Sequence, residues 1–279
     1  MRLGVLADLH WSVAPQAGRA GVSFHAPYAF DDVAARCVAA VEALVAHGCE
    51  LLVVAGDLTH DGDAASCAAA LDCVLGASPI PVAVVEGNHD VLQDETLVAR
   101  HGAVRGGWRR AARLAGAQLV ALRAVGVDRD GRWALERGRA TLAAGLPAVV
   151  ASHFPLVPHA TRLADVGLPF PGELAERDAL LAQLVATRTP TVVLSGHLHV
   201  RDAICHDNVL QLCVAALVER PHEAAVVDVD PLGGAVRCTR IGSGPSAAAD
   251  PGAERWLLAA PDERWDFAEG AWTRREADV

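Results

Sequence analysis

Apolar positions along this chain come in short unbroken runs. Residues 2–7, 51–55 and 81–85 form such runs, and each reads as a strand buried on both faces. Between the first two, Val33, Cys37, Val41, Leu44 and Val45 share one face of a helix, entered at Asp31 or Asp32 and closed by Gly48. Residues 63–76 read as a second helix. A β-α-β-α-β start predicts a parallel sheet flanked by helices.

The middle of the chain predicts a largely helical stretch over 95–117, then a strand over 118–127 with a turn at Asp130-Gly131. Residues 148–151 and 191–194 are short buried strands, with a helix over 173–186 between them. After Val200 the pattern changes. Four consecutive strands at 203–205, 209–215, 224–229 and 235–240 predict an antiparallel meander. Residues 243–252 are rich in Gly, Ser, Ala and Pro and read as a linker. This divides the chain into a domain over 1–242 and a tail over 243–279. The tail holds Trp256, Trp265 and Trp272, three of the six tryptophans. Indoles are rarely left in water, so the tail is expected to pack on its own domain or on a partner subunit, the second case giving a homodimer.

Composition narrows the function classes. Of 279 residues, 52% are apolar and 21% charged, enough for a sizeable core. The net charge is −10, and all 24 basic residues are arginine. A nucleic-acid reader carries a basic stripe, so this balance makes a nucleic-acid partner unlikely. Seven cysteines without a CxxC pair read as small buried hydrophobes in a reducing compartment. The N-terminus enters its first strand at once, without a signal-peptide pattern, and no run is suited to span a membrane. A soluble cytoplasmic protein is expected.

Candidate chemistry lies just past the apolar runs. The motifs are Asp8-Leu9-His10, Gly56-Asp57, Gly87-Asn88-His89-Asp90, Ser152-His153 and Gly196-His197-Leu198-His199. Asp, Asn and His side chains make an O/N-lined site for divalent metals. Ligands of α/β sheets bind outside the carboxyl ends of the strands, so five strand ends converging on one crevice can share one site. Asp8 and His10, two apart at a strand end, are expected to project to the same side, and His197 and His199 repeat that spacing. Asp57 follows a glycine that lets the backbone turn sharply, and its carboxylate can bridge two metals with one oxygen for each.

Taken in order, these motifs resemble the calcineurin-like metallophosphoesterase superfamily, whose pattern is D-x-H, G-D, G-N-H-D or G-N-H-E, a lone histidine, then G-H-x-H. The resemblance spans about residues 2 to 240. It implies an α/β fold, a two-sheet β-sandwich flanked by helices in an α/β/β/α arrangement. It also implies two divalent metal ions, with Mn, Fe, Zn or Ni suited to the ligands. One metal would be held by Asp8, His10, Asp57 and His199, the other by Asp57, Asn88, His153 and His197. A hydroxide bridging them would attack phosphorus. His89 would protonate the leaving alkoxide or stabilise equatorial charge, and Asp90 would orient His89. Residues 56–62, GDLTHDG, and the order from His153 to His199 are similar to the class III cyclic-nucleotide phosphodiesterase group. That group often shows two histidines followed by prolines where this chain has Ser152-His153-Phe154-Pro155. The resulting expectation is hydrolysis of small phosphodiesters, cyclic nucleotides among them. A phosphomonoesterase acting on a nucleotide or phosphoprotein is the alternative, ahead of a nuclease or a non-catalytic scaffold. His25, Tyr28 and His60, in loops beside the motifs, are the candidate substrate contacts.

Overall fold

The computed structural model describes residues 1–13, 23–91, 111–114, 117–122, 124–127, 132–135, 142, 145–169, 174–242 and 253–275. Strands that read as unbroken apolar runs are covered on both faces. In the first sheet the order is β15 (Ala271–Arg274), β14 (Asp262–Ala268), β13 (Ala235–Gly242), β12 (Glu223–Val229), β1 (Arg2–Leu6), β2 (Leu51–Ala55), β3 (Val82–Val85). β1, β2 and β3 run parallel, and β12 joins β1 antiparallel. In the second sheet the order is β10 (Asp202–His206), β11 (Val209–Cys213), β9 (Thr191–Ser195), β8 (Ala148–Ser152), β5 (Ala117–Leu122), β4 (Ala111–Leu114). A separate ribbon pairs β6 (Ala124–Val127) with β7 (Trp133–Leu135).

The period-two alternation of strand side chains sorts these apolar residues into three layers. Leu3, Val5, Val53 and Val85 face inward and pack with Leu119, Val149, Val192 and Leu212 of the opposite sheet. Leu6, Leu52, Val54 and Val84 face outward, onto Val41 and Leu44 of α1 (Val33–Ala46) and Leu71 and Val74 of α2 (Ala64–Ala77). On the far side, Val120, Val150 and Val193 pack with Leu181 and Leu184 of α4 (Arg177–Ala186); α3 (Ala160–Asp165) precedes it. The chain is therefore a two-sheet sandwich with helices outside. Trp265 and Trp272 lie in the inter-sheet core, and the Trp272 indole donates to the Asn208 carbonyl. None of the seven cysteines is in a disulfide. No helix among the described residues is long and apolar enough to cross a membrane.

Several local expectations change. The four strands after Val200 are not one meander. β10 and β11 pair antiparallel in the second sheet, whereas β12 and β13 pair antiparallel in the first. Each hairpin is local, but the chain crosses between sheets in the 214–222 segment, which the apolar pattern does not mark. The strand expected over 118–127 is divided between β5 and β6. The end of the stretch expected to be helical over 95–117 is β4, hairpinned onto β5; residues 95–110 lie outside the described residues. So do the turn at 130–131 and the linker at 243–252. Helix α4 starts at Arg177 rather than at residue 173. Asp63 caps α2 by accepting from the Ser66 N–H at 2.8 Å, while Asp32 opens α1 without a side-chain cap.

Candidate metal centre

Parallel strands of both sheets end at one place, and the motif residues sit in the turns just beyond them. Asp8 and His10 follow β1, Asp57 follows β2, Asn88 and His89 follow β3, His153 follows β8, and His197 and His199 follow β9. Asp8, His10, Asp57, His197 and His199 all adopt the left-handed backbone conformation, with φ of 53°, 46°, 49°, 68° and 53°. A non-glycine residue there costs on the order of 1 kcal/mol or more, and such residues collect at functional sites. The extended-strand reasoning behind the D-x-H and H-x-H spacing is thus replaced by paired kinks.

Backbone hydrogen bonds hold these kinks. Asp8 N–H donates to the Gly56 carbonyl at 3.1 Å, His10 N–H to Asp57 at 2.9 Å and Trp11 N–H to Leu58 at 2.7 Å, so the turn after β1 is zippered to the turn after β2. His197 N–H donates to both Asp8 carboxylate oxygens, at 3.1 and 3.2 Å, joining the two sheets. Motif glycines are needed here. Gly56 has φ +89°, and a Cβ on Gly196 would lie 2.5 Å from Asp8 Oδ2.

The candidate donor atoms converge in two groups that share Asp57. In the first, His10 Nε2 and His199 Nε2 face each other at 3.2 Å, with Asp8 Oδ1 3.5 Å from His199 and Asp57 Oδ2 3.5 Å from His10. In the second, Asn88 Oδ1 lies 2.9 Å from His153 Nε2 and 3.0 Å from His197 Nδ1, and His153 Nε2 is 3.3 Å from Asp57 Oδ2. The same Asp57 oxygen therefore faces both groups. Its other oxygen, Oδ1, accepts the His89 N–H at 2.9 Å, so a single Asp57 oxygen faces both groups, rather than one oxygen for each. All but Asn88 are buried.

Outer contacts orient these side chains. His153 Nδ1–H donates to the Ala55 carbonyl at 2.9 Å, leaving Nε2 to face Asn88 and Asp57. His199 Nδ1 does the same at 2.7 Å with Glu219, a fully buried carboxylate that the sequence reading missed. Glu219 belongs to no strand-end motif, and only its place in the apolar stretch 214–219 marks it as unusual. Asp90 does not orient the His89 ring. Its carboxylate accepts N–H bonds from Gly87, Leu58 and Thr59 and the Thr59 hydroxyl, so it locks the GDLT turn to the GNHD turn. The His89 ring turns instead to the His60 carbonyl, to which Nδ1–H donates at 2.7 Å.

Electrostatics follow from burial and these carboxylates. Burial opposes charge on His153 and His199, but Asp57 lifts the first to about 9, and Asp8 with Glu219 lifts the second to about 10. Burial pushes His10 and His197 well below the usual histidine range. Asp90 is pushed up to about 6 by burial and by Asp57.

The three candidate substrate contacts separate. Tyr28 and His60 border the centre: the Tyr28 ring lies 5.2 Å from His10 and stacks 5.8 Å from His199, and the His60 ring stacks 5.4 Å from His89. His25 Nε2 is committed to the Leu198 carbonyl at 2.8 Å, and its ring stacks on Trp256.

Asp8, His10 and His199, and separately Asp8, Asp57 and His153, bring one ligand atom each within 4.8 Å of one another. His197 Nε2 is a buried nitrogen with no hydrogen-bond partner. Clustered carboxylate, amide and imidazole donors of this kind, drawn to facing positions around one carboxylate oxygen, fit two divalent cations.

Comparisons with known proteins agree with this fold. Residues 1–201 match the family model for calcineurin-like phosphoesterases. Among solved structures, the fold is similar to a dimetal phosphatase from Danio rerio, at 16% identity and a TM-score of 0.61, covering 88% of this chain and 96% of that one. It is also similar to purple acid phosphatase PPD1 from yellow lupin (Lupinus luteus) seeds, at 10% identity and a TM-score of 0.51, covering 87% of this chain and 51% of that one. No curated protein sequence matches the chain.

Proposed function

The chain belongs to the calcineurin-like phosphoesterase family, metal-dependent phosphoric ester hydrolases with a dinuclear site, and from that premise we propose that it hydrolyses small phosphodiesters where its two sheets meet. The observation carrying this reading is Asp57 Oδ2, which faces His10 Nε2 on one side and His153 Nε2 on the other. In this assignment Asp8, His10, Asp57 and His199 hold one divalent metal, and Asp57, Asn88, His153 and His197 hold the other. When bound, the two ions supply charge to the phosphoryl oxygens and activate water as the nucleophile.

The remaining steps belong to the chain's own side chains. His89 protonates the leaving alkoxide. Its support is the hydrogen bond to the His60 carbonyl, which commits Nδ1–H, so the imidazolium form gives its Nε2 proton to the leaving oxygen and is left as the neutral Nδ1–H tautomer. Asp90 holds the two turns on which Asp57 and His89 sit. Tyr28, half-buried beside His10, offers an apolar ring face to the second ester substituent that a diester has and a monoester lacks. His60 lines the adjoining wall. The acidic balance and the absence of lysine favour small substrates over polynucleotides.

The test is a panel on Mn²⁺-loaded protein: bis-p-nitrophenyl phosphate, p-nitrophenyl phosphate, cyclic nucleotides and single-stranded DNA. Diester hydrolysis should exceed that of the matching monoester at neutral pH. Consistent preference for the monoester, or faster cleavage of the oligonucleotide than of any small diester, overturns the proposal.

A further inference from the structure

We propose that Glu219 is a positioning residue that couples one half of the metal centre to the segment covering it; this rests on the metal-centre reading above. Glu219 is fully buried and uses both oxygens in different directions. Oε1 accepts His199 Nδ1–H at 2.7 Å. Oε2 accepts the backbone N–H of Ala26 at 2.9 Å and of His25 at 3.2 Å. The carboxylate is itself fixed in place, because Leu217 and Val218 N–H donate to the carbonyls of Ala7 and Asp8, at 3.0 and 3.1 Å. The same short stretch also holds the covering segment's far end, through Ala29 N–H to the Val218 carbonyl at 2.7 Å.

That segment places Phe24 and Tyr28 over the first half of the centre, with the Phe24 ring 5.3 Å from His199 and edge-on to it. A neutral imidazole has one N–H. Committing it at Nδ1 to Glu219 turns the Nε2 lone pair toward Asp8 and His10, where a cation would be held. A cation held there would fix the His199 ring in place, and with it the carboxylate whose other oxygen keeps the cover closed. By linkage the effect is reciprocal: whatever factor metal adds to ordering of the cover, an ordered cover adds to metal affinity.

The experiment uses the full chain and Mn²⁺ alone. In the unaltered protein, hydrogen exchange at the His25 and Ala26 amides should slow about tenfold on Mn²⁺ addition, as a closed cover exchanges only when it opens. Glu219→Gln keeps the shape but sets an NH₂ against one of the two donor groups. It should weaken one of two Mn²⁺ positions by about 10–100-fold, the usual loss for an outer partner, and leave the other unchanged. It should also abolish the Mn²⁺-dependent protection and shrink the Mn²⁺-induced rise in Tm. A merely structural role would lower Tm equally with and without Mn²⁺. Two positions of unchanged affinity in Glu219→Gln, or amide exchange at 25 and 26 indifferent to Mn²⁺ in the unaltered protein, overturns the inference; the second measurement decides even if the variant fails to fold. Failure of the unaltered protein to bind two Mn²⁺ overturns the metal-centre reading and this inference together. Unchanged Glu219→Gln binding beside active, two-metal unaltered protein overturns this inference alone.

Discussion

On one side of Asp57, His199 donates its Nδ1–H to a carboxylate, Glu219; on the other, His153 donates its Nδ1–H to a backbone carbonyl, Ala55. Both devices fix a tautomer, but they differ in charge and reach. The carbonyl belongs to β2, the strand that leads into Asp57, so the second half of the centre is oriented by the sheets that build it. The carboxylate adds a negative charge behind a half that already contains Asp8 as well as Asp57. The second half shares Asp57 but otherwise offers neutral Asn88 and imidazoles. Equal numbers of candidate donors therefore do not mean equal sites: the first half carries more negative charge, and the second owes less to charge than to packing, as the His197 ring against Phe154 at 4.6 Å illustrates.

The change expected to erase the comparison altogether is Asp57→Ala. It removes the oxygen common to both halves, so both metals and nearly all activity should go, at least about a thousandfold in turnover if the ions supply several kcal/mol. Elemental analysis showing full metal occupancy in this variant would sink the shared-ligand assignment.

His89 borders both halves but is assigned to neither. His89→Ala should retain both metals and slow a diester with a poor leaving group by about two to four orders of magnitude. A p-nitrophenyl ester should mask part of the defect, because its leaving group needs little proton assistance. Equal losses on both substrates would remove His89 as the acid.

Each half pairs one histidine lifted by carboxylates, His199 to about 10 and His153 to about 9, with one that burial pushes down. These values put a proton on His199 and on His153 at neutral pH, and a metal held by them would have to displace it. Affinity at each position should rise by about tenfold per pH unit between pH 6 and 8, below both values. Calorimetry in buffers of different ionisation enthalpy should register the released protons. Titrations indifferent to pH over this range would contradict the raised values.

Charge asymmetry is tested by Asn88→Asp. One added carboxylate should tighten the second position about tenfold, equivalent to ~1.4 kcal/mol, and narrow the gap between the two binding constants. A two-site Mn²⁺ titration reads this directly, and an unchanged gap would assign the asymmetry to packing. The smallest effect is expected from Tyr28→Ala, which should raise KM for a diester with a bulky organic group by about fivefold, a ring contact of ~1 kcal/mol, without changing metal content. A matching rise for the methyl-substituted analogue would show that Tyr28 supports the centre rather than the substituent.

Much of the candidate centre was legible in the sequence, because Asp, Asn and His are metal-binding residue types and each of these follows an apolar run. Positions 8, 10, 57, 88, 153, 197 and 199 stand out for that reason, and the structure gathers their donor atoms into two adjoining groups. Asp90 was visible as a residue but not in its role. Its partners are backbone N–H groups of the turn after β2, and backbone donors have no signature in sequence. Glu219 was invisible because it lies about twenty residues past the nearest motif and meets His199 only through a chain crossing between sheets.

Periodicity in the chain determined local elements well: β1, β2, β3, α1 and α2 are set by apolar runs and helical spacing, since burial on one or both faces is a local property of the pattern. It did not determine which sheet a strand joins. β10 to β13 all look alike as short apolar segments, and two go to each sheet because long-range pairing and inter-sheet packing decide the partner. Nor did it determine how the D-x-H and H-x-H pairs converge. Left-handed kinks at five ligand positions are held by bonds between segments distant in sequence, such as His197 N–H to Asp8. The residue types that can bind metal are written in the sequence; the strained backbone that aims them, and the outer carboxylate that fixes the His199 tautomer, exist only once both sheets are assembled.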